Sequence, residues 1–485
     1  MRLAPDAAPS RRGATLSGTG GSAVPPHTGI RSAWRLLLEN VRKDNGRLAK
    51  RVFLLTGIEL VALVLMQFER GYLAKIFSVE EFGRFAYLMS IVDILAVFVL
   101  LGFDMILLRL AVQYRREGRE GALNGLLVSS LVLPIAVCIL LALVYAVAQF
   151  LGSPVLPGTL GLVASLLVVT AVLNITRPVM QVLGVPHLST MPRNALVPIV
   201  SIAFISLIAA VPSIGAVDLM ILARAGAGLV VVIATVACLA AWSPERPSPK
   251  HGLEFQFGEW LGQGKYLFLV TVLAVVLNWS DVVVAGNFAG GEELGAYVLV
   301  TRVASITLIG QVATNVLFGA IIAPLMQKKS YAEVQTLLSI NVFFAVGILL
   351  CLTIAIMVGL PSLLGIVSKD VQFDFTLYWI VQAGTFINVA CGSVSFMLLM
   401  SGHHKQVALA FVTCTVASIV LMVGLGRFFG LTGIAFAAVG GIAANNLVLA
   451  RYAYRVLGLD TTILSLLRTG RAQRLVVQQD GADAS

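Results

Sequence analysis

The chain has 485 residues, of which 58% are hydrophobic and only 12% are charged. Soluble domains are roughly half apolar and about a quarter charged, so this composition excludes a protein that folds mainly in water. A formal net charge of +10 would suit a nucleic-acid binder. The basic residues here flank hydrophobic segments, where they orient membrane helices, so we expect no nucleic-acid partner.

The first 50 residues precede any membrane segment. Residues 1–29 are rich in Pro, Gly, Ser and Ala and lack an apolar period, which predicts a disordered cytoplasmic tail. Residues 30–50 place apolar side chains at helical spacing with basic side chains opposite. That pattern predicts an amphipathic juxtamembrane helix on anionic lipid, with a solvated helix as the alternative.

Twelve apolar segments follow, of which the first covers 52–77, the second 83–112 and the last 431–456. A helix needs about 20 apolar residues to cross about 30 Å of hydrocarbon. The sequence therefore predicts an all-α polytopic membrane protein with about 12 transmembrane helices.

Basic residues lie in every second connection between these segments. Examples are Arg115 and Arg116 after the second segment, Arg193 after the fourth and Lys405 after the tenth. Because positively charged loops stay on the cytoplasmic side, both termini are predicted to be cytoplasmic.

An internal repeat organises the chain. The letters Glu-Glu-Phe-Gly at 80–83 open the second segment, and Glu-Glu-Leu-Gly at 292–295 open the eighth. Six spans per half is an even number, so both halves enter the membrane from the same side. This predicts two six-helix lobes related by a pseudo-twofold axis along the membrane normal.

The predicted regions are the tail at 1–29, the juxtamembrane helix at 30–50, an N-terminal lobe at 51–242, a cytoplasmic linker at 243–264, a C-terminal lobe at 265–456 and a cytoplasmic tail at 457–485.

Motifs of enzymes and metal sites are missing from the sequence. The stretch GQGK at 262–265 fails the phosphate-loop pattern, because Glu259 replaces its first glycine and Tyr266 follows the lysine. No HExxH or GxSxG pattern occurs, and the five cysteines form no CxxC pair. We therefore predict no metal, no cofactor and no enzymatic activity.

Ionisable side chains inside the spans are the candidates for function, since each costs about 2.5–3.5 kcal/mol to insert. Arg224 lies near the middle of its segment, and Arg70 and Arg302 lie one to two turns from the predicted outer surface. A polar cavity explains them, and arginines at several depths suit an anionic headgroup. Structural ion pairs, Arg70 with Asp93 for instance, are the alternative, and for Arg177 snorkelling to the interface is another. The predicted substrate-binding residues are Arg70, Arg177, Arg224, Arg302, Asn278 and Asn388.

Three acidic residues in the spans are candidates for coupling transport to an ion. Glu59, Asp93 and Asp281 could each take up H⁺ or Na⁺. The sequence does not rank them.

The first two spans resemble a known family. Residues 75–83 read KIFSVEEFG, and Ser90 and the Gly-Phe-Asp at 102–104 leading to Arg109 complete the pattern. Together they are similar to the Wzx-type polysaccharide flippases, in the superfamily that also holds MATE exporters and lipid II flippases. Lys75 stands where that pattern has arginine.

The resemblance implies two lobes around a cavity, alternating access, and a polyprenyl-diphosphate-linked oligosaccharide as substrate. It implies a place in the bacterial cytoplasmic (inner) membrane, with membrane lipid and a polysaccharide polymerase or export machinery as candidate partners. The alternatives are a MATE-like cation-coupled exporter of small amphiphiles and a membrane enzyme acting on lipid-linked sugars. Arg70, Arg224 and Arg302 lining one cavity would count against the exporter.

Overall fold

The computed structural model describes residues 47–150, 160–208, 215–242, 252–327, 330–367 and 373–465. The predicted tail at 1–29 lies outside these residues, as do most of the predicted helix at 30–50 and most of the tail at 457–485. Within the described ranges the chain is helical and contains no β-strand.

Seven α-helices form the first half of the described chain. They are α1 (Arg47–Ile76), α2 (Val79–Val99), α3 (Phe103–Glu117), α4 (Glu120–Phe150), α5 (Leu160–Val182), α6 (Val197–Ile208) and α7 (Ala216–Trp242). A π-helical turn, Pro192–Leu196, leads directly into α6.

Seven more helices form the second half. They are α8 (Phe257–Ala285), α9 (Gly291–Ser305), α10 (Ile309–Gln327), α11 (Tyr331–Val367), α12 (Phe375–Ala390), α13 (Val394–Met400) and α14 (His404–Leu457).

The membrane character predicted from the sequence is confirmed. Nine helical segments of the described residues are long and apolar enough to cross a membrane, and Pro192–Ile208 is a shorter apolar one. The 54-residue α14 bends at Gly430, whose φ of 58° is not helical, so it covers the last two predicted spans. The count of twelve and the lobe boundaries stay predictions.

The predicted span at 83–112 lies within one candidate membrane span, Val79–Glu117, and the structure adds a break inside it. Leu101 has φ 50° and Gly102 has φ 79°, and this left-handed backbone separates α2 from α3. A methyl group on Gly102 would also meet the Cβ of Phe268 at 2.7 Å. Residues 94–101 before the break are all apolar, so hydrophobicity along this stretch carries no signal for the break.

The acidic repeat motif shapes the start of α2. The hydroxyl of Ser78 accepts a hydrogen bond from the Glu81 amide at 3.2 Å, and the Glu81 carboxylate accepts one from the Ser78 amide at 2.9 Å. This capping box satisfies two helix-end donors. In the second copy Gly290 occupies the N-cap without a side-chain bond.

The two copies of the repeat meet where α2 crosses α9. A Cβ on Gly83 would lie 2.6 Å from the Gly291 carbonyl oxygen and 2.6 Å from the Gly295 amide nitrogen. A Cβ on Gly295 would in turn meet the Val79 carbonyl oxygen. The glycines that the repeat makes equivalent therefore pack backbone against backbone between the two halves.

Aromatic residues join the halves at the other end of the membrane domain. Trp260 of α8 is fully buried and donates its Nε1–H to the hydroxyl of Tyr114 at 3.0 Å. The ring of Phe103 packs edge-on against Trp260. Helix α8 begins at Phe257, so the end of the region predicted as a linker, 243–264, is helical and packed.

Candidate functional site

A cavity of about 200 Å³ lies between the two halves. Residues of α1, α2, α7 and the Pro192–Leu196 turn line it from the first half. Residues of α8 and α9, among them Trp279, line it from the second. Its charged lining residues are Glu69, Arg70, Asp93, Arg193, Arg224 and Arg302.

The deepest pair in this cavity joins α1 to α7. The Arg224 guanidinium donates a hydrogen bond to the Glu69 carboxylate. Glu69 is 1% exposed and Arg224 is 18% exposed. An ionised carboxylate so deeply buried requires a partner of this kind. The pair therefore fixes α1 against α7 and neutralises one of the cavity arginines.

A second pair joins α2 to the π-helical turn. One Arg193 nitrogen donates to Asp93 at 2.8 Å, and another donates to the amide oxygen of Asn174. The ion pair suggested as an alternative at the sequence level, Arg70 with Asp93, is thus not the one that forms.

The sequence interpretation of Arg193 as a loop cation requires correction. The turn at Pro192–Leu196 carries its side chain into the cavity rather than to the membrane surface. The positive-inside pattern counts charges near span ends and contains no information on side-chain direction.

Two arginines of the cavity, Arg70 and Arg302, form no salt bridge within 4 Å to a carboxylate among the described residues, although Arg302 interacts electrostatically with Asp281. Arg70 donates to the Gln67 amide oxygen at 2.8 Å, and Gln67 donates to the Arg302 backbone carbonyl at 3.4 Å. The Arg302 guanidinium lies 4.2 Å above the ring of Trp279, a cation–π contact. Four arginines face two carboxylates, so the six charged lining residues carry a formal charge of +2.

A family model described as polysaccharide biosynthesis protein matches residues 72–365, more than half of the chain. The chain belongs to this family. A search of curated proteins finds no match.

Solved structures share the fold of this chain at low sequence identity. An inward-facing multidrug resistance MATE family transporter of the MOP superfamily is 13% identical with a TM-score of 0.58, over 84% of this chain and 93% of that one. A MATE protein in complex with MaL6 is 13% identical with a TM-score of 0.61, over 88% and 97%. A MOP superfamily transporter from Pyrococcus furiosus is 15% identical with a TM-score of 0.59, over 84% and 95%.

These comparisons confirm the resemblance to Wzx-type flippases of this superfamily and the all-helical membrane fold. The solved structures that share this fold are described as transporters. Within the described residues no group of three or more His, Cys, Asp or Glu side chains could hold a metal ion.

Of the predicted site residues, Arg70, Asp93, Arg224 and Arg302 lie in the cavity and the others lie elsewhere. Arg177 is 60% exposed, and its guanidinium is 4.0 Å from the Glu59 carboxylate. The assignment of Arg177 to substrate binding and of Glu59 to ion coupling stays a prediction. The remaining three have bonds of their own: Asn278 with the Ala274 carbonyl at 2.7 Å, Asn388 with Asn446 at 2.8 Å and Asp281 with the Tyr297 hydroxyl at 3.0 Å.

Sequence reasoning missed four cavity residues, Glu69, Arg193, Asn194 and Trp279, and it missed Gln67, which accepts a hydrogen bond from Arg70. Gln67 lies three positions, or about one helical turn, before Arg70, and Trp279 directly follows Asn278, but neutral side chains attract no attention in a hydropathy scan. Asn194 follows Arg193 in the turn whose direction the sequence did not reveal.

We expect Glu69→Gln to lower the thermal stability of the protein strongly. The substitution leaves the Arg224 guanidinium buried without a counter-charge, and breaking one partner of a buried pair costs about 3–5 kcal/mol. Thermal unfolding of purified protein in detergent measures the effect. Glu80→Gln is the matched control, since Glu80 pairs with Arg84 at the exposed start of α2 and such pairs contribute only about 0–1 kcal/mol. Equal shifts for both variants would contradict the prediction.

Proposed function

We propose that the protein is a flippase that moves polyprenyl-diphosphate-linked oligosaccharide repeat units across the bacterial cytoplasmic membrane, with both termini in the cytoplasm. The observation that carries the proposal is the cationic excess of the cavity, in a chain of the polysaccharide biosynthesis family. A diphosphate is the anionic part of such a substrate. Arginine binds phosphate oxygens through two parallel hydrogen bonds and keeps its charge when water is removed.

Arg70 and Arg302 are the residues assigned to the diphosphate. Arg224 and Arg193 already hold carboxylates, so their donors are in part occupied. Arg70 belongs to the first half of the chain and Arg302 to the second, and Gln67 links them by hydrogen bonds. A ligand held by both would therefore contact both halves, as alternating access requires of a substrate.

The rest of the substrate divides between protein and lipid. The polyprenyl tail stays in the hydrocarbon between the two halves, since it gains nothing by entering a polar cavity. The sugars follow the diphosphate through the cavity, where Trp279 offers an aromatic face and Asn194 an amide. Glu59, Asp93 and Asp281 stay candidates for coupling to H⁺ or Na⁺, and no cofactor is proposed.

The second candidate function is a MATE-like cation-coupled exporter of small amphiphiles, which the shared fold favours. A cavity that selects cations would be dominated by carboxylates, and this one has four arginines to two. For the MOP superfamily transporter of Pyrococcus furiosus, the reverse polarity of the binding pocket suggests a different function. The excess of arginines over carboxylates in this cavity likewise supports a function other than cation export.

Reconstitution into vesicles tests the proposal. A polyprenyl-diphosphate glycan is placed in both leaflets, and an impermeant sugar-modifying reagent outside the vesicles reports how much becomes accessible. We expect the protein to increase the accessible fraction beyond one leaflet. The control is the same glycan on an uncharged lipid linker, which should not move. Failure to move the diphosphate lipid, or equal movement of both lipids, would refute the proposal.

A further inference from the structure

The chain folds back into the second half after its last helix. Gly458, with φ 67°, ends α14, and the next residue, Leu459, is fully buried. The side chain of Gln335 on α11 then clamps the backbone of Asp460, accepting from its amide at 2.7 Å and donating to its carbonyl at 2.8 Å. The Ile463 amide donates to the Ala390 carbonyl at the end of α12 at 2.8 Å. This segment, 458–465, is therefore an integral part of the bundle.

Asp460 is a buried carboxylate with only half of its acceptors satisfied. It is 4% exposed, and its Oδ1 accepts from the amide of Thr462 at 3.0 Å and from its hydroxyl at 2.7 Å. Its Oδ2 is buried and has no hydrogen-bond partner. No basic side chain among the described residues forms a salt bridge with it. An ionised carboxylate in such a place is costly unless a positive charge accompanies it.

Two further buried oxygens, one on the residue after Asp460 and one on α11, have no partner. They are the hydroxyl of Thr461, a residue 1% exposed, and the amide oxygen of Asn341 on α11, a residue 3% exposed. The break between α12 and α13 packs against both the segment 458–465 and α11. A Cβ on Gly392 in that break would meet the Thr461 carbonyl oxygen at 2.6 Å and the Val342 side chain, next to Asn341, at 2.7 Å.

We propose that this junction binds a monovalent hard cation, Na⁺, with Asp460 Oδ2, Thr461 Oγ1 and Asn341 Oδ1 as protein ligands. Hard cations take carboxylate, carbonyl and hydroxyl oxygens, and Na⁺ sites in transporters form at interrupted helices. A single carboxylate balances a single positive charge, which favours Na⁺ over Mg²⁺ or Ca²⁺. The site lies outside the arginine-lined cavity, and the proposal does not depend on the identity of the transported lipid.

Thermal unfolding of the purified full-length protein tests the site. A ligand that binds only the folded state raises the melting temperature with its concentration. We expect NaCl to raise the melting temperature in a saturating manner, compared with choline chloride at equal ionic strength. Asp460→Asn retains an Oδ1 acceptor for Thr462, so it should fold but lose the sodium-specific shift. MgCl₂ at equal ionic strength should not reproduce the shift.

Two further variants make the result decisive. Asp374→Asn changes an exposed N-cap carboxylate in the same half of the chain and should retain the full sodium response. Thr461→Val removes one proposed ligand without changing charge and should shift the response to at least several-fold higher sodium. Equal melting temperatures in sodium and choline, as expected if a basic side chain elsewhere in the chain neutralises Asp460, would overturn the proposal. So would a full sodium response in both Asp460→Asn and Thr461→Val.

Discussion

Replacement of Arg302 by alanine is expected to reduce flipping of a diphosphate-linked glycan about 10- to 100-fold while the protein inserts and folds normally. A hydrogen bond to a charged group contributes about 1.5–3 kcal/mol, and about 1.4 kcal/mol corresponds to a factor of ten. Arg302 forms no ion pair with the carboxylates of the cavity, so its removal leaves neither Glu69 nor Asp93 without its partner. Asp281 interacts with Arg302 electrostatically but keeps its hydrogen bond from the Tyr297 hydroxyl, so the loss should fall mainly on the substrate.

Variants of other arginines separate binding from folding. Arg84→Ala changes an exposed residue that pairs with Glu80 outside the cavity, so flipping should be unchanged. Arg224→Ala should instead lower the melting temperature, because Glu69 loses its counter-charge in a buried position. The measurements are initial flipping rates in vesicles and thermal unfolding in detergent. Normal flipping by Arg302→Ala would refute the assignment of this residue to the diphosphate.

Gly83→Ala is expected to destabilise the protein by about 1–3 kcal/mol, the usual cost of overpacking. Alanine favours a helix over glycine by about 1 kcal/mol, so local propensity predicts the opposite sign. The added Cβ would lie 2.6 Å from backbone atoms of Gly291 and Gly295, which cannot rotate away as a side chain would. The crossing of α2 and α9 must therefore widen. Flipping should also fall, since alternating access requires the two halves to close at one end.

Gly440→Ala is the matched control for the crossing. Gly440 lies within α14, and a Cβ there meets no atom within 4 Å. The control should be neutral or slightly stabilising in thermal unfolding and should retain normal flipping. Gly295→Ala should behave like Gly83→Ala, because its Cβ meets the Val79 carbonyl oxygen. Stabilisation by Gly83→Ala would show that helix propensity outweighs the crossing.

The repeat illustrates how far one sequence could be interpreted. The two motifs at 80–83 and 292–295 were recognisable as copies, and their glycines were visible as letters. That the two copies contact each other was not predicted, because a repeat establishes equivalence and not proximity. The structure shows a reason for glycine at both positions, namely backbone packing between the halves.

The charges of the cavity illustrate the remaining limit. Arg70, Arg224 and Arg302 were identifiable because a cation inside an apolar segment is conspicuous in one dimension. Their partners were not, since Glu69 lies 155 positions from Arg224 and Asp93 lies 100 positions from Arg193. Asn278 and Asn388 stood out equally in the sequence, yet they bond to neighbouring groups outside the cavity.

The sequence by itself determined that the chain is helical, crosses the membrane and contains two related halves. These properties follow from the hydrophobicity of each segment, which favours its transfer into hydrocarbon, and from a sequence motif that occurs in both halves of the chain. Only the tertiary structure decided which arginines hold carboxylates and which are left for a ligand. It also decided the break at Gly102, the entry of Arg193 into the cavity and the contact of Gly83 with Gly295. Those depend on side-chain direction and on contacts between distant segments, which hydrophobicity along the chain does not encode.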